Sequence, residues 1–173
     1  MHRLGMALAL SFVVFCGMAR SQATPPVHNH AAVPVIDGAV HPELIPDLTA
    51  YRLWMVAVSR PPAPTDEQVR RQHMQLAKVG LRAADEQTLV AILADFNSQY
   101  HTLIQDYNAE ATAQIARGER PDVAGMRAQR DSLVQSTHDR IEAALPPDSW
   151  ALVDAHVQNE KRRMKLGLQG VQP

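Results

Sequence analysis

Apolar residues recur every three or four positions along most of the chain, which is the spacing of one face of an α-helix. The longest such pattern runs from Asp85 to Arg117 without a Pro or Gly. At about 1.5 Å per residue it predicts a helix on the order of 50 Å long, which cannot bury its apolar stripe by itself. We therefore expect other helices to lie along it. The residues of the stripe are Leu89, Ile92, Leu93, Phe96, Tyr100, Leu103, Ile104, Tyr107, Ala111 and Ile115.

Two shorter helices are predicted before the long one. The first covers residues 47–59 and has Pro46 at its start. The second begins after Thr65, which forms a capping box with Gln68 three residues later, and it ends at Gly80. Both are amphipathic, so we expect them to cover part of the long helix.

Two more helices are predicted after the long one. Gly118-Glu119-Arg120-Pro121 is the sharpest break in the chain, and a helix restarts at Asp122 and runs to Leu145. Because the break is short, the helices on its two sides should form an antiparallel hairpin. A last helix is expected from about Pro147 to Leu166. The sequence shows no clear strand-like alternation. It thus predicts an all-α fold, an extended antiparallel hairpin or bundle of about five helices with a Pro-rich N-terminal arm.

The N-terminal part has the pattern of an export signal. Arg3, an apolar run from Leu4 to Met18 and the small residues that follow predict a signal peptide over residues 1–23. We therefore expect the protein to be periplasmic or secreted. The alternative is a lipoprotein anchored through Cys16, but Phe15 stands where a lipoprotein signal normally carries a small residue.

The rest of the chain divides into an arm, a body and a tail. Residues 24–46 contain five prolines and should form an extended arm. The apolar residues at 33–36 are expected to dock the second half of this arm on the body. Residues 47–166 should form a single helical domain, and residues 167–173 should form a flexible tail.

Composition narrows the classes of function. The single cysteine, Cys16, lies in the predicted signal, so the body has neither disulfides nor thiolate metal ligands. The chain has 17 Lys and Arg against 18 Asp and Glu, which argues against a nucleic-acid-binding protein. No stretch after the signal is apolar enough to predict a membrane span. One basic cluster at the end of the last helix could touch a membrane surface, and it consists of Lys161, Arg162, Arg163 and Lys165.

Histidine is the residue type most able to carry chemistry here. His28 and His30 in the arm are one residue apart, with His41 further on, and imidazoles so placed can bind Zn or Cu. A second set follows from the hairpin, because His101 and His138 are equally far from its turn and should face each other. The alternatives are a solvated polar arm and histidines at the core edge that are satisfied by local bonds.

The motifs of common enzyme classes are missing from the sequence. It contains no Gly-x-Ser-x-Gly elbow and no glycine-rich phosphate loop. An enzyme, which is the third hypothesis, would need a pocket assembled from scattered helical residues.

The leading hypothesis is a non-enzymatic protein that acts by contact through amphipathic helices, as a homodimer or with another protein partner. Metal binding or metal sensing through the histidines is the second hypothesis.

Residues 81–166 resemble the periplasmic Spy/CpxP/ZraP group. Those proteins carry Leu-Thr-x-x-Gln at helix starts, where this chain reads Leu81-Arg82-Ala83-Ala84-Asp85 and Leu145-Pro146-Pro147-Asp148-Ser149. The leucine and the helix-start position are kept, whereas the Thr and the Gln are not, so no functional residue is carried over. The resemblance implies a helical hairpin, assembly as dimers or larger, and a role as a stress-linked chaperone or metal-responsive accessory protein. Another exported helical family would fit the same pattern.

Overall fold

The computed structural model describes residues 35–167. Its helices are α1 (Asp47–Val58), α2 (Asp66–Leu76), α3 (Ala83–Ala116), α4 (Val123–Ala144) and α5 (Pro147–Lys161), with a 3-10 turn at Pro42–Leu44 and the short strands β1 (Val35–Asp37) and β2 (Lys165–Gly167). The prediction of an all-α fold with five helices is confirmed. No helix in the described part of the chain combines the length and the apolar composition needed to cross a membrane.

Local sequence signals set several helix ends. The backbone N–H of Gln68 donates to Thr65 Oγ1 at 3.3 Å, and the backbone N–H of Thr65 donates to Gln68 Oε1 at 2.8 Å, which closes the capping box of α2. Asp122 caps α4 by accepting from the N–H of Gly125 at 2.8 Å. Gly118 follows α3 with a φ of 76°, a left-handed conformation that favours glycine.

The hydrophobic core lies where α1, the first part of α3, the last part of α4 and α5 meet. Its apolar side chains are excluded from water, and this burial supplies the main driving force for folding. The core contains Ala50, Tyr51, Trp54, Met55, Val58, Leu76, Val79, Leu89, Ile92, Leu93, Phe96, Val134, Ile141, Leu145, Val153 and Val157.

Strands β1 and β2 join the two ends of the described chain. They pair antiparallel, with Ile36 opposite Leu166. The N–H of Gly38 donates to the carbonyl oxygen of Met164 at 2.9 Å, and a Cβ at this glycine would overlap the carbonyl oxygen of Lys161. The prediction of a helix up to Leu166 is wrong, since α5 ends at Lys161 and the chain continues into β2. A strand of three residues is too short for the alternation by which strands are recognised.

The α3–α4 hairpin extends beyond the core. No residue between Phe96 and Val134 is buried, although both of these residues are. We call residues 97–133 the outer hairpin and residues 83–96 the inner half of α3. The apolar stripe of α3 therefore runs from the core into a region where its side chains are at most half-buried.

Candidate functional site

Two of the histidines considered from the sequence have local partners only. The Nδ1 of His41 lies 3.0 Å from a carboxylate oxygen of Glu43, and the Nε2 of His101 lies 2.9 Å from the side-chain nitrogen of Gln105. Both histidines are exposed. Neither belongs to a group of three possible metal ligands within the described residues. His28 and His30 lie outside those residues.

The hairpin register gives His101 and His138 different neighbours. Arg140 on α4 is paired with Asp95 on α3. His138 precedes Arg140 by two residues, so it stands at the level of Asn97, about one helical turn from His101. Its ring also faces α1 and α5, whereas His101 bonds within α3.

His138 packs against two aromatic rings. The centroid of its ring lies 4.6 Å from that of Tyr51 and 5.1 Å from that of Trp150, at interplanar angles of 87° and 89°. The rings of Tyr51 and Trp150 are stacked at 6.0 Å. Edge-to-face packing of this kind is favourable. It fixes the imidazole at the place where α1, α4 and α5 meet.

Carboxylates stand on the solvent side of this imidazole. The ligand atoms of His138, Asp139 and Glu142 all lie within 4.8 Å of one another, and His138 Nδ1 is 3.0 Å from Asp139 Oδ1. Hydrogen bonds from His138 and then Gln135 lower the pKa of Asp139. The ionised carboxylate, which is the form that a metal requires, is thereby favoured. An imidazole with two carboxylates is a ligand set that Zn accepts.

Two polar contacts at the core edge were missed from the sequence. Asp85 accepts hydrogen bonds from Ser149 Oγ at 2.6 Å and from Arg82 Nε at 2.9 Å, and these bonds, that of Ser149 first, lower its pKa. Tyr51 donates to Asp154 Oδ1 at 2.7 Å, and burial together with this acceptor raises the pKa of its phenol. Both contacts join helices, so we assign them to stability. The sequence places an acidic residue, Asp85, in the first turn of α3, where the helix dipole favours it. Nothing in the sequence indicates that its partner would be Ser149 on α5.

One residue of the predicted basic surface is not on the surface. Lys161 is only 8% exposed, and its Nζ donates to Asp47 Oδ1 at 2.7 Å. Its assignment to a membrane-contact cluster is therefore wrong, because α5 turns this side chain onto α1. Arg162 is exposed, and Arg163 donates to Glu160 at 3.0 Å. The basic surface is correspondingly smaller than expected.

The outer hairpin carries a shallow groove of about 280 Å³ between α3 and α4. Its apolar lining includes Leu103, Tyr107 and Met126, and its acidic lining consists of Asp106, Glu110 and Asp122. The ion pairs of this region join Arg117 to Glu110 and Glu119, and Arg130 to Asp131. Asp106 and Arg127 belong to no ion pair within residues 35–167.

Comparison with known proteins does not assign the chain to a family. No protein-family model, curated protein or solved structure matches it.

Proposed function

We propose that this is an exported, non-enzymatic helical protein that acts by contact, and that its outer hairpin is the surface on which a second copy of the chain docks. One observation supports the contact surface above all. No residue between Phe96 and Val134 is buried, although the apolar stripe of α3 continues through this stretch. An apolar stripe that its own fold leaves partly uncovered is typical of an interaction surface.

The uncovered side chains are large. Ile115 is 63% exposed and Val123 is 41% exposed near the tip of the hairpin. Aromatic and aliphatic side chains closer to the core are only half covered. These half-buried residues are Tyr100, Leu103, Ile104, Tyr107, Met126 and Leu133. Together they offer the apolar centre that a protein interface needs.

The surface is large enough for a dimer. The outer half of α3 runs from Asn97 to Ala116, about 30 Å at 1.5 Å per residue, and two helices side by side are about 20 Å wide. One face of the outer hairpin therefore offers about 600 Å² per copy, or about 1,200 Å² in a pair, which is the lower limit of a specific interface.

The charges of the outer hairpin favour a second copy as the occupant. The outer half of α3 has two charged side chains, Asp106 and Glu110, and both are acidic. The first turns of α4 carry Arg127 and Arg130. A two-fold axis that sets α3 of one copy against α4 of the other would bring these opposite charges together twice. Asp106 and Arg127 are available for this because neither has an ion-pair partner within the described residues.

Sedimentation equilibrium of the purified protein tests this proposal. We expect a concentration-dependent mass that approaches twice the chain mass. Leu103→Asn should shift the protein to monomer, whereas Leu152→Asn, at an exposed leucine of α5, should leave the dimer unchanged. A monomer at every concentration, or a Leu103→Asn variant that associates like the wild type, would remove the proposal. If the wild type also suppresses the aggregation of client proteins and Leu103→Asn does not, the contact is chaperone-like.

A second function, binding of Zn or Cu, is favoured by the cluster of His138, Asp139 and Glu142. The three ligand atoms lie within 4.8 Å of one another, and aromatic packing holds the imidazole in place. Small rotations of the two exposed carboxylates would bring them to a metal. The arm histidines His28 and His30 are the alternative ligands.

Calorimetric titration with Zn²⁺ separates the two metal sites. If α4 holds the metal, the wild type binds one equivalent, Glu142→Gln weakens binding by about tenfold or more, and His28→Ala/His30→Ala has no effect. If instead the double variant His28→Ala/His30→Ala loses the site and Glu142→Gln binds like the wild type, the metal lies on the arm. His101→Ala is the matched control, since this exposed histidine bonds only within α3. Without a saturable site in the wild type, metal binding is rejected.

A further inference from the structure

A groove of about 550 Å³ runs between α2 and the inner half of α3. Helix α2 is fixed to the body by Leu76, which is fully buried, and by Gln72, whose Nε2 donates to the carbonyl oxygen of Val58 at 2.9 Å. It is linked to α3 by His73, whose Nδ1 lies 2.9 Å from Glu86 Oε1. The volume lies within the range of small-molecule sites.

The floor of this groove is one face of α3, where small or apolar side chains predominate and Glu86 is the one charged residue. Ala83, Val90, Ala91 and Ala94 line it, with Gln87 among them. From the first to the last of these residues the helix rises about 16 Å. A long floor of small side chains leaves room for an extended alkyl chain.

Arg60 supplies a positive charge at one end of the groove. It is half-buried, lines the groove, and forms no hydrogen bond or ion pair through its side chain within residues 35–167. The preceding residue, Ser59, accepts a hydrogen bond from Asn97 Nδ2 at 3.1 Å, which places Arg60 toward the Ala94 end of the floor. An unpaired guanidinium presents a planar fork of donors that matches a carboxylate.

From this arrangement we propose that the groove binds a medium-chain fatty acid, with the carboxylate on Arg60 and the alkyl chain along α3 toward Ala83. The charges fix the orientation of the ligand. Glu86 lies toward the Ala83 end and would repel a carboxylate placed there, whereas Arg60 attracts it. The apolar side chains of the floor exclude water from the alkyl chain. The groove is separate from the outer hairpin, so this inference does not depend on the proposed dimer.

Calorimetric titration of the purified protein with dodecanoate, below its micelle-forming concentration, tests the site. We expect one saturable site per chain. Arg60→Gln should weaken binding by about tenfold or more because the charged hydrogen bonds are lost. Ala91→Leu fills the floor and should abolish binding. Arg162→Gln removes an exposed arginine that follows α5 and lies outside the groove, and this variant should bind like the wild type.

Dodecanol has the same alkyl chain as dodecanoate but no carboxylate, so its binding measures what the alkyl chain contributes alone. It should bind about tenfold more weakly or worse. Thermal melting without ligand checks that each variant is folded. The proposal is overturned if dodecanoate gives no saturable heat, if either Arg60→Gln or Ala91→Leu binds like the wild type, or if dodecanol binds as tightly as dodecanoate. Saturable binding of an acidic helical peptide without binding of dodecanoate would also overturn it.

Discussion

The ion pair between Lys161 and Asp47 joins α5 to α1 and holds a charge that is almost fully excluded from water. The lysine side chain is 10% exposed, whereas the aspartate side chain is 65% exposed. The hydrogen bond from Lys161, with a second from Gln158, lowers the pKa of Asp47. A carboxylate whose pKa is lower in the folded state stabilises the fold above its unfolded pKa, and this stabilisation is lost as the pH falls through the folded pKa.

Asp47→Asn should therefore destabilise the protein at neutral pH. We expect the free energy of unfolding to fall by about 1 kcal/mol, because Lys161 loses its partner while the exposed position of Asp47 screens the interaction. The difference from the wild type should shrink as the pH falls from about 4, the unfolded pKa, through the lower folded pKa. Urea unfolding at neutral and acid pH measures both effects.

A control for this variant is Asp95→Asn, which removes an exposed ion pair with Arg140. It should change the free energy of unfolding by less than about 0.5 kcal/mol. An Asp47→Asn variant as stable as the wild type at neutral pH, or equally destabilised at every pH, would show that the pair does not act in this way.

Helix α3 is continuous, but its two halves have different surroundings. In the inner half, Leu89, Ile92, Leu93 and Phe96 are buried in the core. In the outer half, no residue is buried. The same sequence pattern thus contributes to folding in one half and leaves an uncovered surface in the other.

Two truncations in α3 should therefore have unequal effects on the stability of the monomer. Phe96 is 1% exposed, so Phe96→Ala should lower the free energy of unfolding by about 3–5 kcal/mol. Leu103→Ala removes a half-covered side chain and should lower it by about 1 kcal/mol. Urea unfolding at a protein concentration low enough to avoid association measures both. Equal losses would contradict the division of α3 into two environments.

The apolar spacing was sufficient to predict the helices, the hairpin and the stripe of α3. It could not predict which half of the stripe meets other helices, because that depends on where α1 and α5 dock. For the same reason the adjacent residues Lys161 and Arg162 looked alike in the sequence but differ in burial. His138 was predicted as a site residue, but its neighbours Tyr51 and Trp150 come from distant helices, and periodicity does not specify such contacts.

At the scale of the whole molecule, the described chain has two surfaces with different chemistry. The groove beside α2 combines an apolar floor with the positive charge of Arg60. The outer hairpin combines an uncovered apolar stripe with unpaired charges of both signs, Asp106 and Arg127. The first fits a small anionic amphiphile, and the second fits a copy of itself. The docking of a second copy is the central claim of this account.

Sedimentation equilibrium of two charge-reversed variants, alone and mixed, tests that claim most directly. Asp106→Arg alone and Arg127→Asp alone each place like charges across the proposed two-fold axis, so each should be monomeric. In an equimolar mixture both contacts become attractive, and a dimer containing one copy of each variant should form. If each variant dimerises alone, or if the mixture remains monomeric while the wild type dimerises, the proposed pairing of the two hairpins is contradicted.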